Sequence, residues 1–416
     1  MSSIAFAALP PLNPESIALI TREIGGAPDV WKVDEIGDGN VNMIFRLAGP
    51  GGQVLIKQAV PYLRCVGESW PLSLRRNFFE RKALEAHATF APQYLPRVLA
   101  FDEASAALVM EFFGDHVILR KGVIQGVRYP LFAEHITDYM ARTLFFTSDL
   151  FLAAGQKKEQ MQRFCENVDL CKITEDLIFT DPYRVADKNR WTTPELDGIA
   201  HRFANDAELK IAVTSLKAKF LTAAEALIHG DLHTGSIMVN ERETKVIDPE
   251  FAFYGPMGFD VGLLLANFFL AYYSQAGLAR NPVEYEAWLL EQVVEIWTKF
   301  ERKFSALWDQ HLDGDYLPAR LLTAETRAAV VSRVRADYLA RLFDDSLGFA
   351  ACEMIRRILG LAHVADLDQI ADARARALCE TRALHAAREL LLHRGRYRTI
   401  SETLDMIRAQ RARASA

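Results

Sequence analysis

The alternation of apolar and polar positions divides the chain near residue 115. Before it, short runs recur at 31–33, 43–47, 54–59, 98–101 and 107–112, rich in Val, Ile, Leu and Phe. Such runs suit strands, whose successive side chains point to opposite faces. Gly49, Pro50, Gly51 and Gly52 separate the second run from the third and predict a hairpin turn. Residues 74–90 break this rhythm, with Phe78, Phe79, Ala83, Leu84 and Ala86 on one side of a predicted helix. Beyond 115 the period becomes helical, over 131–146, 209–226, 283–304, 324–343 and 365–392. Residues 181–193 are the most polar interruption and read as a long surface loop. A small hairpin is predicted within 229–250, inside the helical half. The expectation is an α+β chain of two lobes. A β-rich lobe occupies 1–113, a hinge lies at 111–114, and a larger, mostly helical lobe fills 115–416.

Composition narrows the function classes more than the fold. Half of the residues are hydrophobic and a quarter charged, which is ordinary for a globular protein. Lys and Arg number 48 against 54 Asp and Glu, a net charge of -6 and the opposite of a nucleic-acid binder's basic excess. No stretch is expected to span a bilayer; 261–273 comes nearest and is too short. The N-terminal residues lack a signal peptide's basic end and longer apolar core. The five cysteines are scattered without metal-ligand spacing and read as free thiols, which sets the expected location as a reducing cytoplasm. Residues 374–413, rich in Arg, read as an exposed helix and a frayed end.

The chemistry concentrates in two loops. The first reads His229-Gly230-Asp231-Leu232-His233-Thr234-Gly235-Ser236, and the second Ile247-Asp248-Pro249-Glu250. Phosphoryl transfer from ATP needs one carboxylate to orient the attacking hydroxyl and others to hold magnesium on the phosphates. Asp231 fits the first task. Asp248 and Glu250, straddling Pro249, fit the second, as hard oxygen ligands on a restricted turn. Ser236 stands where a protein kinase has a metal-binding Asn. His229 and His233 lie four residues apart, but Gly230 and the Thr234-Gly235 turn do not suit a helical zinc pair. In the first lobe, Gly37 and Gly39 leave room for backbone amides beside phosphates. Lys57 ends a strand and can bind phosphate, paired with Glu80 of the following helix, with Glu85 the competitor. Backbone groups at Glu111, Phe112 and Phe113 are placed to meet an adenine edge. The order of strands, hinge and helices is that of a two-lobed kinase.

Residues 229–273, with Asp-Pro-Glu at 248–250 and Tyr-Gly-Pro-Met-Gly-Phe-Asp at 254–260, resemble the methylthioribose kinase family of the aminoglycoside and choline kinase-like superfamily. Residues 67–72, 143–149, 348–357 and 360–366 extend the likeness over most of the chain. Ser236 fits this family, whose relatives among aminoglycoside and choline kinases generally keep Asn. The resemblance implies transfer of the ATP γ-phosphoryl group to the 1-hydroxyl of 5-methylthioribose, in methionine salvage. It implies that Asp231 holds that hydroxyl, that Asp248 and Glu250 bind Mg2+, and that Asn40, Lys57 and 111–113 contact ATP. Arg356 and Arg357 would reach the sugar and the transferring phosphate; adjacent helical residues face different ways, so they do not share one role. Trp70 resembles the loop tryptophan that lies over the sugar, and a homodimer is implied. Another small-molecule kinase of this fold is the first alternative and a nucleotide-binding pseudoenzyme the second.

Overall fold

Short runs of β-branched and aromatic residues at the start of the chain form an antiparallel sheet of six strands, in the order β1-β2-β3-β4-β8-β7. These are β1 (Ser3–Ile4), β2 (Lys32–Glu35), β3 (Asn42–Gly49), β4 (Gly52–Ala59), β7 (Val98–Asp102) and β8 (Ala107–Glu111). The computed structural model describes residues 3–4, 9, 11–36, 41–63, 67–278, 283–312 and 314–412. Gly37, Gly39 and Asn40 therefore lie outside the described residues.

The predicted hairpin forms with Gly49 opposite Gly52. On β4, Val54 and Ile56 point into a cluster with Ile20 and Ile24 of helix α1 (Pro14–Ile24). The strand period then turns Leu55 and Lys57 to the opposite face. Helix α2 (Arg76–Ala88) follows β5 (Tyr62–Leu63) and β6 (Gly67–Pro71), a small ribbon that carries Trp70. Asn77 of α2 donates to the carbonyls of Lys57 and Ala106, at 3.0 and 2.8 Å, and so seats the helix against the sheet.

The larger lobe begins with β9 (Val117–Ile118) and α3 (Leu119–Gln125), then α4 (Phe132–Phe146), α5 (Ala154–Phe164), α6 (Val168–Leu177), α7 (Asp197–Asn205) and α8 (Ala207–Thr222). Four short strands follow: β10 (Ala226–Ile228), β11 (Ile237–Val239), β12 (Thr244–Val246) and β13 (Phe253–Gly255). β10 pairs with β13, while β11 pairs with both β12 and β9. The expected single hairpin is thus two ribbons, and each acidic loop connects one ribbon to the other. The remaining helices are α9 (Met257–Ser274), α10 (Val283–Gln310), α11 (Arg327–Leu359), α12 (Ala365–Asp368), α13 (Ala373–His393) and α14 (Ile400–Ala412).

Helix α9 is the axis of this lobe, and every one of its residues is buried. Gly258 and Gly262 let α11 approach: a Cβ on Gly262 would meet the Ser346 carbonyl at 2.5 Å. The segment Met257–Gly277 is long and apolar enough to cross a membrane, which corrects the expectation from 261–273. The burial of every residue from Met257 to Ser274 identifies it as a core helix.

Other boundaries differ for related reasons. The helix expected over 324–343 continues to Leu359, because its second half is buried on all sides and loses the amphipathic period. The helix expected over 365–392 breaks at Asp372, whose side chain caps α13 by accepting from the amides of Arg374 and Ala375. That Arg-rich helix is not merely exposed: Ala383, Leu384, Ala387, Leu390 and Leu391 of α13 are buried. The loop 181–193 likewise has Tyr183 and Thr192 in the interior.

Candidate active site

Two groups of charged residues are built on the two acidic loops. The first is built on Lys57. Its ammonium lies 2.7 Å from Glu80 and 2.7 Å from Asp248, joining strand, helix and the second acidic loop. Glu85 instead pairs with Lys82 on its own helix, at 2.8 Å. Burial alone would favour the neutral amine, but Asp248, Glu250 and Glu80 outweigh it and hold Lys57 protonated well above its ordinary range. Asp248 has φ 62° and ψ 44°, a left-handed conformation uncommon outside glycine and frequent at functional sites.

Glu250 is buried, and its Oε2 accepts from Asn42 Nδ2 at 2.8 Å. Arg76 donates through Nε to Asn42 Oδ1 at 2.9 Å, with Glu250 Oε2 at 3.8 Å. Asn42 and Arg76 went unrecognised in the sequence; Asn42 stands two residues after the expected Asn40 and crosses between lobes. Asn167 of the larger lobe donates to the carbonyls of Glu250 and Ala252, at 2.8 and 3.0 Å, and so fixes the turn that includes Pro249. This donor set suits magnesium. Two hard carboxylates are offered, Asp248 with its side chain 38% exposed, and the remaining positions are ones that magnesium usually fills with water and substrate phosphates. The described residues contain no group of three or more His, Cys, Asp or Glu that could hold a metal by themselves.

The second group surrounds Asp231. Arg356 donates through Nη2 to Asp231 Oδ1 at 3.2 Å, and His233 Nε2 lies 3.3 Å from Oδ2. The amides of Gly235 and Ser236 donate to His233 Nδ1, at 2.9 and 3.1 Å. That fixes the tautomer with hydrogen on Nε2, pointing at Asp231. Burial first, then Arg120 and Arg357, push His233 down to about 4 against the pull of Asp231, so the ring stays neutral. Burial would raise Asp231, but His233, Arg356 and Arg357 hold its carboxylate well below the usual range.

Glu353 decides what the two arginines do. Fully buried on α11, it accepts from Arg356 Nε at 2.5 Å and from Arg357 Nε at 2.7 Å. Arg356 then reaches Asp231, whereas Arg357 turns to the carbonyl of Ala362, at 3.4 Å. Their spacing of three and four residues from Glu353 was the signal available in the sequence.

The loop itself is held from behind. Asp260 of α9 accepts from the amides of His229 and Gly230, at 2.7 and 2.9 Å, and His229 Nε2 donates to the Ile247 carbonyl at 2.9 Å. Ser236 donates to the Asp231 carbonyl at 3.0 Å, so its hydroxyl braces the loop. Gly230 has φ 82°, and a Cβ there would meet the Phe251 carbonyl at 2.3 Å, which requires glycine.

Glu111, Phe112 and Phe113 form the link between lobes; Glu111 accepts from the Arg97 amide at 3.2 Å, and Lys245 lies 5.4 Å from the Phe113 ring centre. Trp70 packs in an apolar cluster with Leu72, Phe251 and Leu361, and Lys188 Nζ lies 3.3 Å from its ring centre. Phe251 and Leu361 place this cluster next to Glu250 and to the segment after Arg357.

Comparison with known proteins agrees with these motifs. Residues 37–291 match the phosphotransferase enzyme family APH. Methylthioribose kinase 1 of Oryza sativa subsp. japonica is 45% identical over 392 residues, 92% of this chain and 90% of that protein. Methylthioribose kinases of Escherichia coli O45:K1, at 45% over 92% of each chain, and Geobacillus kaustophilus, at 43% over 95% and 96%, are similar to it along nearly the same length. The chain belongs to the methylthioribose kinase family, within the phosphotransferase enzyme family.

Proposed function

We propose that this protein transfers the γ-phosphoryl group of ATP to the 1-hydroxyl of 5-methylthioribose, giving 5-methylthioribose 1-phosphate in methionine salvage. The observation that carries this reading is the Glu353 fork, which sets Arg356 on Asp231 and keeps Arg357 beside it. Asp231, held ionised, accepts a hydrogen bond from the sugar hydroxyl, orients it, and takes its proton late in the transfer. Arg356 and Arg357 place positive charge where the phosphoryl group passes. Lys57 binds ATP phosphate, with Glu80 as its brace, and 111–113 receive the adenine edge. Asp248 and Glu250 would hold Mg2+, which when bound neutralises charge on the phosphates. Trp70 covers the sugar. The reading includes a homodimer in the cytoplasm; sedimentation of the purified protein tests the dimer, and fractionation of cells tests the location.

ADP release measured across methylthioribose, choline, an aminoglycoside and homoserine decides the acceptor. Methylthioribose should give turnover far above the others. Background rates with it, beside clear turnover of another acceptor, would sink the proposal.

A further inference from the structure

A cation with no role so far lies against the loop that carries Asp231. Arg120 of α3 donates its amide to the Thr234 carbonyl at 3.0 Å and its Nε to Thr234 Oγ1 at 3.2 Å. Its Nη2 donates to Asn267 Oδ1 at 2.9 Å, and Thr234 Oγ1 donates to the same oxygen at 3.2 Å. Arg120, Thr234 and Asn267 thus close a triangle between α3, the loop and α9. A Cβ on Gly235 would sit 2.9 Å from Arg120 Nη1 and 2.7 Å from His233 Cε1. The guanidinium therefore rests on the same turn that orients His233 toward Asp231.

Taking a guanidinium out of water is costly, and a well-packed apolar residue would often serve the fold as well. Asp366 of α12 is the acid beside it, at 3.6 Å from Nε, but its Oδ2 makes no hydrogen bond. Burial pushes Asp366 up to about 6. Burial and then Arg357 pull Arg120 down to about 10, so it keeps its charge at neutral pH. Nη1 has no hydrogen-bond partner among the described residues, and the side chain retains 16% exposure.

We propose that Arg120 is a further positioning residue for phosphoryl transfer, which locks the Asp231–His233 loop and adds its positive charge to that of Arg356 and Arg357. The proposal rests on the phosphoryl-transfer reading, though not on which acceptor is used. Asp231 is faced by His233 from its own loop, Glu353, Arg356 and Arg357 from α11, Asp260 from α9 and Arg120 from α3, with His229 bonded to its amide and Asp366 of α12 beside Arg120. Removing one cation from this set raises the Asp231 value, so the acid limb of kcat/KM moves to higher pH.

Steady-state kinetics of the full chain against pH test this with three variants. Arg120→Met should lower kcat roughly tenfold or more and shift the acid limb upward, with KM for ATP within about twofold of the parent. Arg120→Lys keeps the charge but not the fork, so the limb should return to its parent position while kcat recovers only in part. Thr234→Val keeps the cation and should lower kcat without moving the limb. Parent kcat and an unmoved limb in Arg120→Met would overturn the proposal. Should that variant not fold, parent kcat in both Arg120→Lys and Thr234→Val overturns it. A parent active on choline instead of methylthioribose refutes the acceptor, and the same variants still judge Arg120. A parent inactive on every acceptor refutes both.

Discussion

At the scale of single residues, Asp231 and His233 are held in fixed protonation states, the carboxylate ionised and the ring neutral. Asp231→Asn should lower kcat roughly 10²- to 10⁴-fold, the usual share of a positioned general base, and leave ATP affinity measured by calorimetry near the parent's. Near-parent turnover would remove Asp231 from the reaction. His233 is held near 4, below its ordinary value, so its neutral form is lost only as pH falls through that depressed value. Its ring ¹⁵N signals should therefore keep the neutral Nε2–H pattern from pH 8 to pH 5, while exposed histidines titrate within that range. Glu353 illustrates what a buried acid is worth when two arginines depend on it. Glu353→Gln leaves both guanidiniums without their carboxylate in the interior, and should cost about 3–5 kcal/mol of stability by chemical denaturation along with most of kcat/KM. Lys57 with Glu80 was readable from a strand followed by a helix. Glu353 offered only its spacing from the two arginines, a weak signal because a charged position in a helix usually faces water, and only the completed fold buries it.

At the scale of elements, the close approach of α9 to α11 carries the site. Asp260 on α9 holds amides of the loop that carries Asp231, and Arg356 on α11 reaches the Asp231 carboxylate, so the separation of these helices sets the candidate site's geometry. Gly262→Ala would drive a methyl group into the Ser346 carbonyl and the Ala350 amide, at 2.5 and 2.9 Å. The expected loss is about 1–3 kcal/mol, read as a lower thermal midpoint. Gly155→Ala on α5, where a Cβ would meet nothing within 4 Å, should be neutral or slightly stabilising by the same measurement. Equal effects in the two variants would contradict the packing argument. Helical periodicity located α4 and most of α10. It stopped short on α11, where burial on every side erases the polar face that periodicity needs.

At the scale of the whole molecule, an ion pair and a hydrogen bond join the lobes: Lys57 with Asp248, and Asn42 with Glu250. A ligand bound between the lobes stabilises the folded protein by mass action, by about 2.7 kcal/mol at a hundred times its Kd. ATP with Mg2+ should therefore raise the melting temperature more than ATP with a chelator. Glu250→Gln should remove most of that difference while ATP alone still protects. A difference of parent size in Glu250→Gln would exclude Glu250 as a magnesium ligand.

The sequence by itself determined the order of the lobes, because strand and helix periods are local properties of the chain. It also marked the two acidic loops, because short apolar runs lead into Asp231 and into Asp248 and Glu250. Only tertiary structure decided their surroundings. Asn42 meets Glu250 across 208 positions, and Arg120 meets Asn267 across 147. No local pattern encodes such pairs: their partners are chosen by which faces the packed helices and sheet leave opposite one another, and burial then gives those contacts their strength.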